Sequence, residues 1–517
     1  TDVMMLAEDA GTGQKTSLPI VIASGVLRGE SELVVSVDRT GLGDLEPSLR
    51  YLVEYPYGCL EQTLSRFVPL AKAKDLSTSL GLPGLAGTKM DAFLRAGVAK
   101  VARHQQSDGH FSLWPQSDTH PHLTVYALWG LTEAGRAGVD VPPETLERGL
   151  AALGGWLNAA GTIGPDNEGA TAAMAAFVLA ENGKADAGAM QRLYEHRARL
   201  PRWGQAFLLR AMIAGKSAES MIADVEKELA AGIVVDGDRA AVEDSHHADD
   251  HYYMTSNARA TAIALSAWVA RDPSSKLVPK LVRGLEEMRR PDGRWTNTQD
   301  NLWALIALSD YARTVTAGKG SVTIDAGAKH QHRKVLRGAE VFVARVPLDQ
   351  VSKTVSIDAD PGVRWTARLI TKRGDDGAAV TSGFTVARAY LNPAGQVVTE
   401  VTAGEVVTVR LTVTADASRE WIALVDPLPA GLEALNPSLI ASGTTSTTNP
   451  WRWNHTEVRD DRVLWFADAL SPGTFEMSYE ARATIDGRFE VPPASIEAMY
   501  EPDVRGRTAT AKLTVVK

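Results

Sequence analysis

The chain of 517 residues has one cysteine, Cys59, so no disulfide bond can form within it and disulfide-stabilised folds are excluded. It also lacks any apolar run near the ~18 residues that a membrane-spanning helix needs, since the longest runs, at 170–180 and 18–27, are too short. Its net charge of −9 argues against nucleic-acid binding. What remains is a large globular protein, for which we expect about three domains at roughly 100–200 residues per domain.

The first residues also lack a familiar start signal. The chain begins at Thr1, with neither an initiator methionine nor the basic and apolar segments of a secretory leader. We therefore expect a fragment or a processed product, with any targeting information upstream.

Hydrophobic periodicity divides the chain into β, α and β regions. Residues 32–37 (ELVVSV) alternate between apolar and polar, which predicts a half-buried strand. From about 45 to 312 the apolar residues recur at helical spacing, for example over 123–134. Alternation then returns, most clearly over 407–414 and 475–483, which predicts antiparallel β-sandwiches.

Two segments of the helical region look alike. Residues 104–131 and 290–308 each contain an Asp-Gly turn, a nearby tryptophan and then an amphipathic helix. The turns begin at Asp108 and Asp292, which leaves room for several helical hairpins between them. A hairpin cannot bury its apolar face alone, so we predict that the hairpins close into an α/α toroid. An irregular helical bundle is the alternative that periodicity leaves open.

Cys59 lies in the run YPYGCLEQTLSRFVP, which covers residues 55–69. The apolar residues that share one helical face begin directly after it: Leu60, Leu64, Phe67 and Ala71. Cys59 is therefore predicted near the start of a helix, where unpaired backbone N–H groups and the helix dipole favour a thiolate.

Gln62 follows Cys59 by three residues, so the two side chains are neighbours on a helical turn. The sulfur can attack the side-chain carbonyl of Gln62 and expel ammonia, which closes a thioester. Water destroys such a bond unless it is excluded, and Tyr55 and Tyr57 are candidates for an aromatic cover. The alternative is a structural buried cysteine beside an unrelated glutamine, and the C-x-x-Q spacing by itself favours that alternative.

The context of the spacing favours the thioester. Gly58, Cys59, Leu60, Glu61 and Gln62, with aromatic residues before them and a toroid-like block after them, resemble the thioester region of bacterial α2-macroglobulins. The family pattern C-x-E-Q is matched. The resemblance implies a multidomain α+β fold, in which an α/α toroid thioester domain is inserted in a CUB-like β-sandwich and a macroglobulin-like β-sandwich follows.

The same resemblance implies the domain boundaries. Residues 1–17 are expected to form an N-terminal segment, 18–43 and 316–375 a discontinuous CUB-like domain, 44–315 the thioester domain and 380–517 the macroglobulin-like domain. The last boundary falls in a stretch of small and acidic residues, GDDGAAVTS.

A second motif lies near the end of the chain, in IEAMYEPDVRGRT. Its Met499 and Tyr500 match a Met-Tyr pair that shields the thioester in bacterial members of the family, together with the tyrosine that stands four residues before the cysteine, here Tyr55. The resemblance therefore implies a shield formed by the last domain. Without the resemblance, Tyr500 is best interpreted as an ordinary strand aromatic.

Histidines raise two further questions. The stretch HHADDH at 246–251 has groups that suit a metal ion, but no ligand pair recurs at a defined helical spacing, so we predict a solvated loop and neither a metal nor a cofactor. In some thioester relatives a histidine relays the acyl group to hydroxyls. A rough alignment places Asn167 near that position, and if no histidine stands there, direct attack by amines is favoured over transfer to hydroxyls.

The resemblance implies a protease-trapping inhibitor and not an enzyme. In the family a protease cuts a bait region, the shield opens and a lysine amine of the protease attacks the glutamine carbonyl, here that of Gln62. No bait region is evident in this chain. The family also implies the Gram-negative periplasm, an anchor upstream of this chain and association with penicillin-binding or other envelope proteins.

Two alternatives stand beside this interpretation. The first is an α/α-toroid enzyme of the terpenoid-cyclase or polysaccharide-processing type, because Asp-Gly-Trp hairpins also occur on such rings. The second is a structural envelope protein with an inactive thioester site.

Overall fold

The computed structural model describes the whole chain except residues 1, 56–57, 77–87, 160–166, 245–252, 316, 373, 375–376 and 436–452. The chain divides into two compact units, Thr1–Gly374 and Asp375–Lys517. Among the residues described, no helix is both long enough and apolar enough to cross a lipid bilayer.

The centre of the first unit is helical. Its helices, in chain order, are α1 Glu46–Glu54, α2 Leu60–Lys72, α3 Thr88–Ala102, α4 Pro121–Arg136, α5 Pro143–Ala159, α6 Asn167–Glu181, α7 Ala187–Glu195, α8 Arg202–Ala214, α9 Glu219–Ala230, α10 Asn257–Arg271, α11 Leu277–Glu287 and α12 Thr298–Ala312. A short hairpin of strands β4 Ile233–Asp236 and β5 Arg239–Val242 lies between α9 and α10.

Alternate helices close into a ring. Helix α2 packs on α4, α4 on α6, α6 on α8, α8 on α10, α10 on α12, and α12 returns to α2. Helices α1, α3, α5, α7, α9 and α11 pack against the outside of this ring. The predicted α/α toroid is therefore confirmed, and the two Asp-Gly turns each precede an inner helix, α4 and α12.

Inner and outer helices differ in how they are buried. On α4 every residue from His122 to Ala134 is buried, so the prediction of an amphipathic helix with one apolar face is wrong there. An inner helix is covered on both sides, which removes the need for a polar face. Outer helix α11 keeps a single buried stripe, formed by Val278, Leu281, Val282 and Leu285, with Gly284 beside it.

Strands from both sides of the helical region form the rest of the first unit. They are β1 Asp2–Asp9, β2 Thr16–Pro19, β3 Glu32–Asp38, β6 Lys319–Asp325, β7 Gln331–Arg337, β8 Phe342–Pro347, β9 Thr354–Ala359 and β10 Arg364–Thr371. They make two four-stranded sheets, in the orders β1-β10-β3-β8 and β2-β9-β6-β7, with a shared apolar core. Much of segment 1–17 thus extends these sheets, and the finer domain boundaries stay predictions.

The strand predicted from ELVVSV exists as β3, but it is not half-buried. Val34 and Ser36, on the face opposite the sandwich core, are 7% and 5% exposed. Val34 lies opposite Arg368 of β10, and Arg368 Nε donates a hydrogen bond to the Pro291 carbonyl of the toroid at 3.4 Å. The toroid therefore covers the face that the alternation left to solvent.

Hydrogen bonds from arginine side chains join the toroid to this β domain. Arg364 Nη2 donates to Glu286 Oε2 on α11 at 2.6 Å, and Arg289 Nη2 donates to the Gly41 carbonyl at 3.2 Å. Gly41 has a φ of +83°, and a Cβ atom there would collide with the Glu286 carboxylate. A residue without a side chain is thus required at this contact.

The second unit is a β-sandwich. Its strands are β11 Val380–Ser382, β12 Phe384–Leu391, β13 Val397–Val398, β14 Glu400–Thr402, β15 Val406–Ala415, β16 Arg419–Pro427, β17 Leu432–Ala434, β18 His455–Val458, β19 Arg462–Leu470, β20 Gly473–Ala483, β21 Gly487–Val491, β22 Ser495–Ala498, β23 Glu501–Arg507 and β24 Ala511–Val516. The two main sheets run β11-β23-β22-β16-β19-β18 and β13-β12-β15-β20-β17. The alternating residues of β15 and β20 point into the core, as predicted.

Candidate functional site

Cys59 caps the amino terminus of α2. Its backbone is extended, with φ −62° and ψ 170°, and its Sγ accepts a hydrogen bond from the Gln62 backbone N–H at 3.5 Å. The Cys59 carbonyl accepts the Thr63 N–H at 2.9 Å, which closes the first turn. The structure thus places Cys59 at the start of a helix, as the sequence predicts.

Cys59 and Gln62 are both removed from water. Cys59 is 1% exposed and Gln62 is 0% exposed. Gly58, directly before the cysteine, is also buried, and its carbonyl accepts a hydrogen bond from Thr63 Oγ1 at 3.4 Å. A thiol and a side-chain amide therefore share one dry helical turn, which is the arrangement that a thioester needs.

The predicted thiolate is not what the buried site favours. Burial raises the pKa of the Cys59 thiol, and the nearby charge of Glu61 raises it further. The backbone N–H groups of Gln62 and Glu61 lower this pKa, as the helix position suggested, but their effect is smaller. The prediction of a stabilised thiolate is therefore wrong, because the sequence did not show how deeply the sulfur lies.

Glu61 links α2 to α12 through a buried hydrogen-bond network. Its Oε1 accepts from Ser65 Oγ at 2.5 Å, from Thr298 Oγ1 at 3.0 Å and from Gln299 Nε2 at 2.6 Å. Gln299 Nε2 also lies 3.0 Å from the hydroxyl oxygen of Tyr126 on α4. Three inner helices, α2, α4 and α12, are therefore linked through Glu61, one of the two residues between Cys59 and Gln62.

The sequence analysis missed the partners of Glu61. Thr298 and Gln299 stand more than two hundred residues further along the chain. The only signal was indirect, since both follow the second Asp-Gly-Trp segment, which the sequence marked as the start of another ring helix. Which side chains of that helix reach α2 depends on closure of the ring.

Close helix packing fixes α2 from the side of α4. A Cβ atom at Gly130 would lie 2.4 Å from Leu64 Cδ2 and 3.0 Å from Val68 Cγ2. Glycine at this position therefore lets the two helix backbones approach closely. Leu64 and Val68 lie on α2, the helix that Cys59 caps, so this contact fixes the helix just after the cysteine.

The first turns of the other inner helices carry buried polar side chains. His122 of α4 lies 5.1 Å from the Tyr253 ring and 6.3 Å from the Trp203 ring, measured between ring centroids. Burial lowers the pKa of His122 to about 3, so the imidazole is neutral. Asn167 Oδ1 accepts from Trp203 Nε1 at 3.0 Å. Asn167, which the rough alignment singled out, therefore lies among the buried polar side chains at the first turns of the inner helices.

The four residues predicted to shield the thioester lie in different parts of the chain. Tyr55 follows α1, is 6% exposed and meets the Tyr51 ring edge-on, with centroids 5.3 Å apart. Tyr57 lies outside the described residues. Met499 and Tyr500 form the turn between β22 and β23 of the second unit, and Met499 is 4% exposed. Their role in covering a thioester stays a prediction.

The histidine-rich stretch 246–251 also lies outside the described residues. Within the part of the chain that the structure describes, no group of three or more His, Cys, Asp or Glu side chains could hold a metal ion.

Comparison with known proteins matches both units to one family. The A-macroglobulin TED domain model matches residues 35–175, and the bacterial alpha-2-macroglobulin MG10 domain model matches residues 383–503. An alpha-2-macroglobulin of Xylella fastidiosa (strain Temecula1 / ATCC 700964) is 27% identical over 96% of this chain, and that of Escherichia coli K12 is 28% identical over 90%. The chain belongs to the bacterial alpha-2-macroglobulin family. It spans 31% of the length of the Xylella relative and 29% of that from E. coli.

Solved structures show the same fold. Native E. coli alpha-2-macroglobulin from domain MG7 to the C-terminus superposes with a TM-score of 0.77 at 23% identity, covering 100% of this chain and 82% of that one. Salmonella alpha-2-macroglobulin reacted with methylamine superposes with a TM-score of 0.78 at 24% identity, covering 98% of this chain and 34% of that one. The multidomain α+β fold predicted from the sequence is therefore confirmed.

Proposed function

We propose that this chain carries an internal thioester between Cys59 Sγ and the side-chain carbonyl carbon of Gln62. The observation that supports it most directly is the placement of both residues, buried, on the first turn of an inner helix in an alpha-2-macroglobulin toroid. Formation joins the sulfur to the Gln62 carbonyl and releases ammonia. Because water is excluded from the turn, the bond survives until the site opens.

The thioester serves a protease-trapping inhibitor. When the shield opens, a primary amine of the attacking protease adds to the Gln62 carbonyl and the C–S bond breaks. An amide then links the protease to residue 62, and the sulfur leaves as the thiol of Cys59. Each molecule reacts once, so the protein is consumed and does not turn over as an enzyme.

The trigger, partners and location belong to the same proposal. The cut that opens the site falls in a bait region that this chain does not reveal. Target proteases are the covalent partners, and envelope proteins such as penicillin-binding proteins are further ones. The proposed location is the Gram-negative periplasm, where an anchor upstream of this chain would hold the protein at the membrane. Family membership favours this function over a toroid enzyme.

Intact mass and thiol titration test the thioester. We expect the purified chain to be lighter than its sequence by one ammonia, to show no free thiol, and to release one thiol when methylamine is added. Cys59→Ala should abolish the mass deficit and covalent capture. In Gln62→Asn the carbonyl is withdrawn by one methylene, so the thiol should be free from the start.

The same measurements distinguish the alternatives. An unshifted mass with a free thiol and an intact glutamine at position 62 would favour the structural protein with an inactive site. Glutamate at position 62 in a peptide map would instead show that the thioester had formed and been hydrolysed. Amine-resistant conjugates that persist in Cys59→Ala would overturn the mechanism.

A further inference from the structure

Strand β7 carries a cluster of positive charge at the edge of a sheet in the first unit. The sheet runs β2-β9-β6-β7, so β7 pairs with β6 on one side and has no strand on its other side among the described residues. Lys329 precedes the strand, and Arg333, Lys334 and Arg337 lie within it, all exposed. The whole chain has a net charge of −9, so this cluster reverses the sign of the charge locally.

Neighbouring carboxylates do not neutralise this cluster. Within the part of the chain that the structure describes, its four cations form no ion pair. Strand β8 of the same domain is different, because Arg345 pairs with Glu32 at 2.6 Å and with Glu46 at 2.5 Å. The charge of β7 is therefore available to a partner from outside the domain.

The pairing of β7 with β6 adds a further cation. Lys319 of β6 lies directly opposite Arg337, so two like charges share one face of the sheet, an arrangement that lowers its stability. Asp325 of β6 lies at the far end of the pairing, opposite Gln331. Glu340 Oε2 accepts the backbone N–H of Arg337 at 2.9 Å, so its contact is with the backbone. An anion bound beside Lys319 and Arg337 would relieve their repulsion.

The side chains of β7 follow a regular order along one face. Side chains alternate between the two faces of a strand, so Arg333, Val335 and Arg337 share one face, whereas Leu336 on the other face is buried in the sandwich core. Val335 is 53% exposed. The order along the outer face is cation, apolar residue, cation, with about 7 Å between successive members.

We propose that β7 binds an extended acidic segment of a partner protein, which adds to the sheet as a fifth strand. The backbone N–H and C=O groups on the open side of β7 supply the pairing, as at other sheet edges that accept a peptide. Because the added strand has the same alternation, two carboxylates four residues apart lie beside Arg333 and Arg337, and an apolar residue midway covers Val335. The partner segment therefore has acidic, apolar and acidic residues at alternate positions.

Charged residues on an edge strand also have a second explanation, which is protection against pairing with another copy of the chain. Protection requires charge along the edge, and an exposed apolar residue in the middle of the edge weakens it. The exposed Val335 between two arginines therefore favours a binding edge over a protected one. This inference does not depend on the thioester.

Fluorescence anisotropy with a labelled synthetic peptide tests the binding. The peptide has glutamate, valine and glutamate at alternate positions with threonine between them, and the purified chain should bind it saturably. Arg333→Gln combined with Arg337→Gln should weaken binding about tenfold, since each exposed ion pair contributes up to ~1 kcal/mol. Arg482→Gln combined with Arg488→Gln removes the same charge from exposed strand positions of the second unit and should leave the affinity unchanged. Equal losses in the two double variants would refute the site.

A second peptide separates strand addition from attraction between charges. Methylation of the backbone nitrogens keeps the charge and the side chains but removes the N–H donors, and it should abolish most of the binding. Equal binding of the two peptides would overturn strand addition. If the unaltered chain does not bind the first peptide, and the double variant of Arg333 and Arg337 self-associates in sedimentation velocity, the cations only protect the edge. Sedimentation with vesicles that contain phosphatidylglycerol, without binding of the peptide, would overturn the proposal in favour of a membrane surface.

Hydrogen exchange on the unaltered chain locates the bound peptide. The peptide should slow exchange of the amides on the open side of β7 and leave β8, which lies at the edge of the other sheet, unchanged. Protection of β8 without protection of β7 would show that the peptide binds elsewhere and would overturn the assignment.

Discussion

Glu61 in the first unit and Asp426 in the second are both buried carboxylates, but different donors hold them. Glu61, 1% exposed, accepts hydrogen bonds from the neutral side chains of Ser65, Thr298 and Gln299. Asp426, 0% exposed, pairs with the Arg388 guanidinium and accepts the Tyr479 hydroxyl at 2.8 Å.

The difference follows from where each carboxylate lies. Glu61 stands in the first turn of α2, where the helix dipole favours negative charge, so neutral donors add to a field that is already favourable. Asp426 lies in a strand, which has no comparable dipole, and burial raises its pKa while Arg388 opposes the shift. At Asp426 the Arg388 guanidinium therefore supplies the positive field that the start of α2 supplies at Glu61.

Removing the cation from Asp426 should have the largest effect. Arg388→Ala leaves a buried charge without its partner, which we expect to destabilise the second unit by about 3–5 kcal/mol. Urea unfolding followed by hydrogen exchange in β12 and β15 measures the loss. Arg388→Met combined with Asp426→Leu should recover most of it, because the uncompensated charge is then gone. A loss below ~1 kcal/mol in the single variant would contradict the contrast with Glu61.

Asp300 of α12 offers a buried carboxylate whose charge can be titrated. Burial raises its pKa from 3.8 to about 6, against the opposing hydrogen bond from Ser256 and the charge of Arg259. The folded state therefore binds a proton more tightly than the unfolded chain. This contribution to stability is fully present below pH 3.8 and is lost as the pH rises through 6, by up to about 3 kcal/mol.

Asp300→Asn removes that titration. Relative to the variant, the wild type should gain stability as the pH falls from 7 to 4, measured as the difference between two urea-unfolding series. His122 acts in the opposite sense, since its pKa of about 3 lies below the ordinary 6.5 and its contribution is lost as the pH falls below 6.5. Both proteins contain His122, so the difference isolates Asp300. A stability difference that does not change with pH would show that burial does not raise the pKa of Asp300.

Glu61→Ala should cost less than loss of Arg388. It leaves the donors of Thr298 and Gln299 without this acceptor in a buried place, which we expect to destabilise the first unit by about 1–3 kcal/mol. Glu61→Gln keeps a side-chain oxygen and should cost less than Glu61→Ala. Unfolding followed by hydrogen exchange in α2 and α12 measures both. Equal losses in the two variants would show that the network does not depend on an acceptor at this position.

Glu61→Gln also tests the thiol. Because the charge of Glu61 raises the pKa of Cys59 in the closed site, its removal should lower that pKa and speed alkylation of the thiol in a Gln62→Asn background, where the thiol is free without amine treatment. Glu54→Gln makes the same change of charge on the exposed end of α1 and should leave the rate unchanged.

The contrast also shows what a sequence can and cannot predict. The start of α2 at Cys59 and the alternation of β15 are local patterns, and both were predicted. The contacts of Glu61 depend on ring closure across more than two hundred residues, and no spacing encodes them. The raised pKa of Cys59 and the burial of both faces of β3 were missed for the same reason. How deeply a residue is buried depends on which other elements of the fold pack over it, and a local pattern does not show this.

The smallest effect is expected for an exposed carboxylate. Glu490 of β21 lies opposite Lys512 of β24, with Oε1 and Nζ 3.3 Å apart, and the side chains are 66% and 55% exposed. Water and salt screen this pair, so Glu490→Gln should change the free energy of unfolding by less than about 0.5 kcal/mol, as urea unfolding would measure. A loss as large as that of Glu61→Ala would mean that the cation matters more than burial, and the contrast between Glu61 and Asp426 would need another cause.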